Sequence, residues 1–134
     1  MPPRHFTLEQ ANELLEIVRP LAQRLVAHRR QFVDAQRRRA GLVAKVAGNG
    51  GGLDAAAVTA LDERIGAELA SIARCVNGIH ELGGVVKDLD EGLVDFPALV
   101  DGQEAYLCWK LGEDQIEHWH GVDEGFSGRK RLQP

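Results

Sequence analysis

Val76–Leu111, VNGIHELGGVVKDLDEGLVDFPALVDGQEAYLCWKL, is where the chain changes its period. Up to Ile79 the apolar residues recur every three or four positions; beyond Gly83-Gly84 they tend to alternate. That change predicts a helix stopped by the glycine pair and a β element after it. Val85-Val86 reads as a short strand, Leu93–Val100 as a second and Ala105–Leu111 as a third. Between the last two, Asp101-Gly102 supplies the positive φ angles of a type I′ turn, so they form a hairpin.

Upstream, Val58, Leu61, Ile65, Leu69, Ile72, Val76 and Ile79 mark one face of a helix capped by Asp54. Gly48–Leu53, with four glycines, reads as a flexible turn. Before it, Leu8, Ala11, Leu15, Val18, Ala22, Leu25 and Phe32 form the stripe of a first helix reaching about Ala47, with coiled-coil-like spacing. Thr7 and Gln10 are placed to form a capping box, and Phe6 and Ala11 a hydrophobic staple. The stripe keeps its phase across Pro20, which predicts a kink and not a stop. Downstream, Gly112-Glu113-Asp114 predicts a turn, Ile116–Trp119 a fourth strand and Gly125–Pro134 an irregular tail.

The expected fold class is therefore α+β: a long antiparallel helical hairpin followed by a small antiparallel β-meander. Residues 1–134 read as a single domain, with the hairpin over 6–84, its turn at 48–53, the meander over 85–124 and the tail over 125–134. A lone hairpin and a small sheet each leave an apolar face to cover, so a homodimer pairing its hairpins is the expected assembly.

Apolar residues make up 44% and charged residues 27% of the 134, an ordinary globular balance. No apolar run approaches the ~20 residues of a membrane span, and Met1-Pro-Pro-Arg-His has no apolar core of a signal peptide. Cys75 and Cys108 form neither a CxxC pair nor a disulfide framework, which suits a reducing cytoplasm. The net charge of −4 conceals a division. Residues 1–50 hold nine Lys/Arg against four Asp/Glu, and residues 51–134 seven against sixteen. The basic clusters His28-Arg29-Arg30 and Arg37-Arg38-Arg39 raise contact with nucleic acid as one reading; the acidic balance and the lack of a reader motif oppose it.

Chemistry-bearing residues concentrate after Val85. His118 and His120, two apart on a strand, would face the same way and could grip a divalent metal such as zinc, with Asp123, Glu124 or Cys108 as further ligands; equally, they are surface histidines in an acidic region. Asp88, Asp90, Glu91 and Asp95 form an acidic cluster without the spacing of a calcium loop, and a solvated turn explains most of it. Asp95 stands apart, since a carboxylate inside an apolar strand needs a partner, for which Lys87 and Arg129 are candidates. Cys108 reads as a small apolar residue, or as a thiol activated by His120. Phe126 is expected to pack on Trp109 or Trp119, and Arg129 to pair with Asp95 or Glu113 or to bind an anion.

The strings FTLEQANELLEIVRPL, VKDLDEGLVDFPA, LCWKLGE, WH and GFSGR resemble a family of small prokaryotic proteins catalogued as domain of unknown function 2203. The resemblance covers nearly the whole chain, implies a helical hairpin with a small β element, and brings no activity. It implies a pattern that includes Asp88, Asp95, Cys108, Trp109, Glu113, Trp119, His120, Phe126 and Arg129 but not His118. The expected function is a non-enzymatic binding or interaction module. Its site would draw on Asp88, Asp95, Trp109, Glu113, Trp119, His120, Phe126 and Arg129, for an unidentified protein or small-molecule partner. The alternatives are a metal-dependent, hydrolase-like enzyme built on His120, and a nucleic-acid-associated factor using the basic end of the first helix.

Overall fold

The computed structural model describes residues 5–49, 52 and 54–133. Two helices, α1 (Leu8–Asn49) and α2 (Ala55–Glu81), pack as an antiparallel hairpin. Of the turn expected at Gly48–Leu53, Gly48 and Asn49 still belong to α1, and residues 50, 51 and 53 lie outside the described residues. α1 opens on a capping box in which the Thr7 N–H donates to Gln10 Oε1 (3.0 Å) and the Gln10 N–H to Thr7 Oγ1 (3.1 Å). It continues through Pro20 without a break. Asp54 caps α2 by accepting from the Ala57 N–H.

A five-stranded antiparallel sheet follows in simple sequence order: β1 (Val85–Asp88), β2 (Leu93–Val100), β3 (Gln103–Lys110), β4 (His118–Gly121) and β5 (Lys130–Arg131). The protein is thus an α+β fold of helical hairpin and β-meander. The β2–β3 turn has φ of 53° at Asp101 and 79° at Gly102, as a type I′ turn demands. It fixes the hairpin register, with Asp95 opposite Cys108 and Val94 opposite Trp109. At Gly92 (φ 73°) a β-carbon would meet Leu111 at 3.0 Å and Val26 at 3.2 Å, so glycine there satisfies both the turn and the close approach of α1.

Two differences from the sequence expectation concern the C-terminal part. The fourth strand is His118–Gly121 and not Ile116–Trp119, because the preceding loop is held down by α1. Arg19 donates to the carbonyls of Glu113 (3.1 Å) and Asp114 (2.8 Å), and Asn12 Oδ1 accepts from the Ile116 N–H (2.8 Å). The tail is not wholly irregular. It forms a single 3₁₀ turn (Phe126–Gly128) and then β5, which pairs with β4. Leu132 extends this by donating its N–H to the Glu117 carbonyl (2.8 Å).

One face of the sheet supplies five of the twelve buried residues of the main core. Val94, Phe96, Ala98, Leu107 and Trp109 meet Phe6, Ala11, Leu15, Val18 and Ala22 from the N-terminal side and Ile79 of α2. Phe6 lies edge-on to Phe96, with ring centroids 5.6 Å apart, and its N–H donates to the Pro97 carbonyl. A second cluster, Leu25, Val26, Phe32, Ile72 and Cys75, joins the helices beyond the sheet. Phe96 is fully buried at the meeting of helix and sheet, so Phe96→Ala should cost about 3–5 kcal/mol in urea unfolding. Leu99→Ala, at a half-exposed position on the same strand, should change stability by less than about 0.5 kcal/mol. Equal losses at the two positions would contradict this packing.

Candidate functional site

Strand alternation sends the other set of side chains to the face away from the helices. Leu93, Asp95 and Pro97 on β2, Tyr106, Cys108 and Lys110 on β3, and His118 and His120 on β4 share it. Here Asp95 and His120 are 2% and 3% exposed, an uncommon depth for ionisable groups. They bury each other: His120 Nε2 lies 2.8 Å from Asp95 Oδ2. His120 Nδ1 lies 2.9 Å from the Gly121 carbonyl. A carbonyl only accepts, so Nδ1 is the donor in that contact, and Nε2 is left to face the carboxylate. His120 is the partner of Asp95, in place of the Lys87 or Arg129 suggested by sequence.

Cys108 completes the group. Its sulfur, a nitrogen of His120 and a carboxylate oxygen of Asp95 all lie within 4.8 Å of one another, and all three residues are buried. Burial first, and then the charge of Asp95, push the Cys108 thiol up to about 11, which keeps it protonated at neutral pH. These residues floor a pocket of about 370 Å³ that also takes in Leu93 and Tyr106. Its walls are Lys87 and Asp88 on one side and Val122, Glu124, Gly125 and Phe126 on the other. The Lys87 ammonium sits over the Tyr106 ring at 5.3 Å, without a carboxylate partner among the described residues.

The sequence-derived site residues divide between two places. Asp88, Asp95, His120 and Phe126 line this pocket. Trp109 and Trp119 do not: both turn to the helix side, where Trp109 is fully buried and Trp119 packs against the main core. Phe126 contacts neither tryptophan ring; the Arg129 guanidinium lies over it at 4.8 Å and the Lys110 ammonium at 5.8 Å. Glu113 and Arg129 form a separate bidentate ion pair, with both bonds at 2.9 Å, and Arg129 also donates to the Cys108 carbonyl at 3.2 Å. His118 shares the outer face but stands outside the Asp95–Cys108–His120 group, its Nδ1 3.7 Å from Glu113 Oε2. The donor group that the structure does bring together among the described residues is Asp95, Cys108 and His120, without His118. Asp88 accepts from the Glu91 N–H (2.6 Å) as a turn cap, and Asp90 pairs with Arg29.

Over residues 4–132 the chain matches the family model described as Uncharacterized conserved protein (DUF2203). The chain belongs to this family. No curated relative and no solved structure matches it.

Sequence reasoning did not place Leu93, Tyr106 or Val122 in the site. The signal for the first two was available: once Asp101-Gly102 sets the hairpin, they share a face with Asp95 and Cys108. Val122 and the Gly125 backbone enter through the path of the chain after β4, which no local pattern announces.

Burial opposes ionisation of Glu113, but the bonds from Arg129 and the Lys110 N–H prevail and hold its carboxyl below the ordinary 4.5. The folded value lies below the unfolded one, so this stabilisation is present above 4.5 and is lost as pH falls through the folded value. Glu113→Gln should therefore cost about 1.5–3 kcal/mol in urea unfolding at pH 7. The gap from wild type should narrow steadily below 4.5. A gap independent of pH would mean that the charge is not what matters.

Proposed function

We propose that the protein is a non-enzymatic cytoplasmic binding module whose site is the pocket on the outer face of the sheet. The observation that carries this reading is the Asp95–His120 pair. Two ionisable side chains, each at most 3% exposed, floor a concave surface on the face that the hydrophobic core does not need. Leu93, Val122 and Phe126 offer apolar contact, while Lys87 offers a cation at the wall. A small ligand with an apolar body and an acceptor group fits that lining. A thiol held protonated argues against nucleophilic catalysis by Cys108.

The nucleic-acid reading loses support from the ion pairs of α1. Arg29 binds Asp90, Arg38 binds Asp34, Arg39 binds Asp62 and His28 binds Glu68, so much of the basic face is neutralised by the protein itself. No helix among the described residues is long and apolar enough to cross a membrane.

A fragment screen followed by ¹H–¹⁵N NMR tests the site. Binders should shift the amides of Tyr106, Val122 and Gly125 together, and Val122→Trp at the pocket wall should abolish those shifts. Binders that instead cluster on the helical groove of Gly41, Leu42, Ala57 and Leu61 would move the site to the hairpin. We further infer a homodimer through the hairpin, with Leu69, 47% exposed on α2, placed to enter the interface. Sedimentation equilibrium should return twice the 14.7 kDa chain mass, and Leu69→Glu should shift it toward one.

A further inference from the structure

We propose that Asp95, Cys108 and His120 hold a divalent transition metal of the zinc class, with one coordination position open to the pocket. This inference rests on the outer-face pocket being the functional site. The donor set is the first argument. A thiolate, an imidazole and a carboxylate suit zinc, cobalt or ferrous iron, whereas magnesium and calcium require a shell of oxygens that this pocket floor does not supply.

The histidine is the second argument. A metal-bound imidazole characteristically donates its other N–H to a carbonyl or carboxylate, which fixes the ring and its tautomer. His120 has that arrangement: Nδ1 is tied to the Gly121 carbonyl and Nε2 faces Asp95, with the Cys108 sulfur completing the group. The Cys108 backbone is likewise held, by Arg129 at 3.2 Å.

Spacing and charge agree. A tetrahedral zinc site places its ligand atoms about 3.3–3.6 Å apart. The three donor atoms lie within 4.8 Å of one another, and Nε2 and Oδ2 at 2.8 Å need part by only about half an ångström. The ion would take the place of the direct Asp95–His120 contact. One carboxylate, one thiolate and one neutral imidazole leave a divalent ion with no net charge, the condition under which such a group tolerates burial. Three protein ligands and an open fourth position facing a pocket form the pattern of a zinc site that can take a further ligand, not of a closed structural one. Lys87 at the wall and the open position of the ion would then address the same acceptor group of a ligand.

Cobalt(II) titration of the full-length, metal-stripped protein tests this with no organic ligand present. The expected result is a thiolate-to-cobalt charge-transfer band with tetrahedral visible bands, saturating at one equivalent and abolished by zinc. Cys75→Ala should give the same spectrum. Folded His120→Ala should bind cobalt more weakly by more than the ~10–100-fold that follows loss of a second-shell partner. A wild-type protein that develops no charge-transfer band in excess cobalt overturns the proposal, whether or not the variants fold. So does a band lost in Cys75→Ala. A blank titration removes the metal alone; the pocket itself stands or falls by the fragment map of the metal-free protein.

Discussion

Glu113 is the point through which helix, sheet and tail are held in one arrangement. Its carbonyl accepts from the Trp109 indole (2.9 Å) and from Arg19 of α1 (3.1 Å). Its carboxylate accepts from the Lys110 N–H (2.8 Å) and takes both arms of Arg129. The residue sits just past β3, so these bonds determine where the chain re-enters the sheet as β4. They also bring the C-terminal segment back across the outer face. A bidentate, partly buried arginine–carboxylate pair is the strong form of such an interaction, unlike the exposed pairs along the hairpin.

That arrangement lets the sheet serve two environments at once. Its inner face is apolar and continuous with α1; its outer face carries the Asp95–His120 pair. Burying two ionisable groups is unfavourable unless each finds its partner, and here both imidazole nitrogens and one carboxylate oxygen are satisfied by protein atoms. The pair depends on a diagonal relation. Asp95 lies opposite Cys108, which lies opposite His118, so His120 reaches Asp95 from one step further along β4. Shifting β4 by a single residue would turn His120 toward the helices and Trp119 toward solvent.

Much of the scaffold was legible in the sequence because local rules decide it. The capping box of Thr7 and Gln10, the Asp54 cap, the full extent of β2 and the Asp101-Gly102 turn follow from residue type and spacing alone. The turn even fixes the pairing of Asp95 with Cys108. What could not be read is what the β3–β4 loop decides. Its path is set by Arg19 and Asn12, 94 to 104 residues earlier in the chain, and no periodicity encodes that. The start of β4 therefore lies two residues beyond its expected place, and the direct Asp95–His120 contact could not be read, although both residues stand in the expected site. The same long-range docking accounts for β5, whose Lys130-Arg131 shows no strand pattern and pairs only because Arg129 is anchored beside it. The tryptophans misled for a simpler reason: aromatic density marks a core as readily as a binding surface.

The floor and the far wall of the pocket differ in how they are held. The floor belongs to β2 and β3, whose opposite face is the main core, so moving Asp95 or Cys108 means disturbing Val94 and Trp109. The wall after β4 rests on Glu124. Its carboxylate accepts from Lys130 and from the Gly121 N–H (2.9 Å), and it crowds Gly128, where a β-carbon would meet it at 2.8 Å. Glu124 and Lys130 are both more than two-fifths exposed, and an exposed pair of this kind contributes little. A ligand that displaces Lys130 from Glu124 thus meets little resistance, whereas one that must rearrange the floor opposes the folding energy of the sheet. For the proposed binding role, selectivity is therefore expected of the floor residues Asp95, Cys108 and His120, and adjustment to ligand size of the segment from Val122 to Phe126.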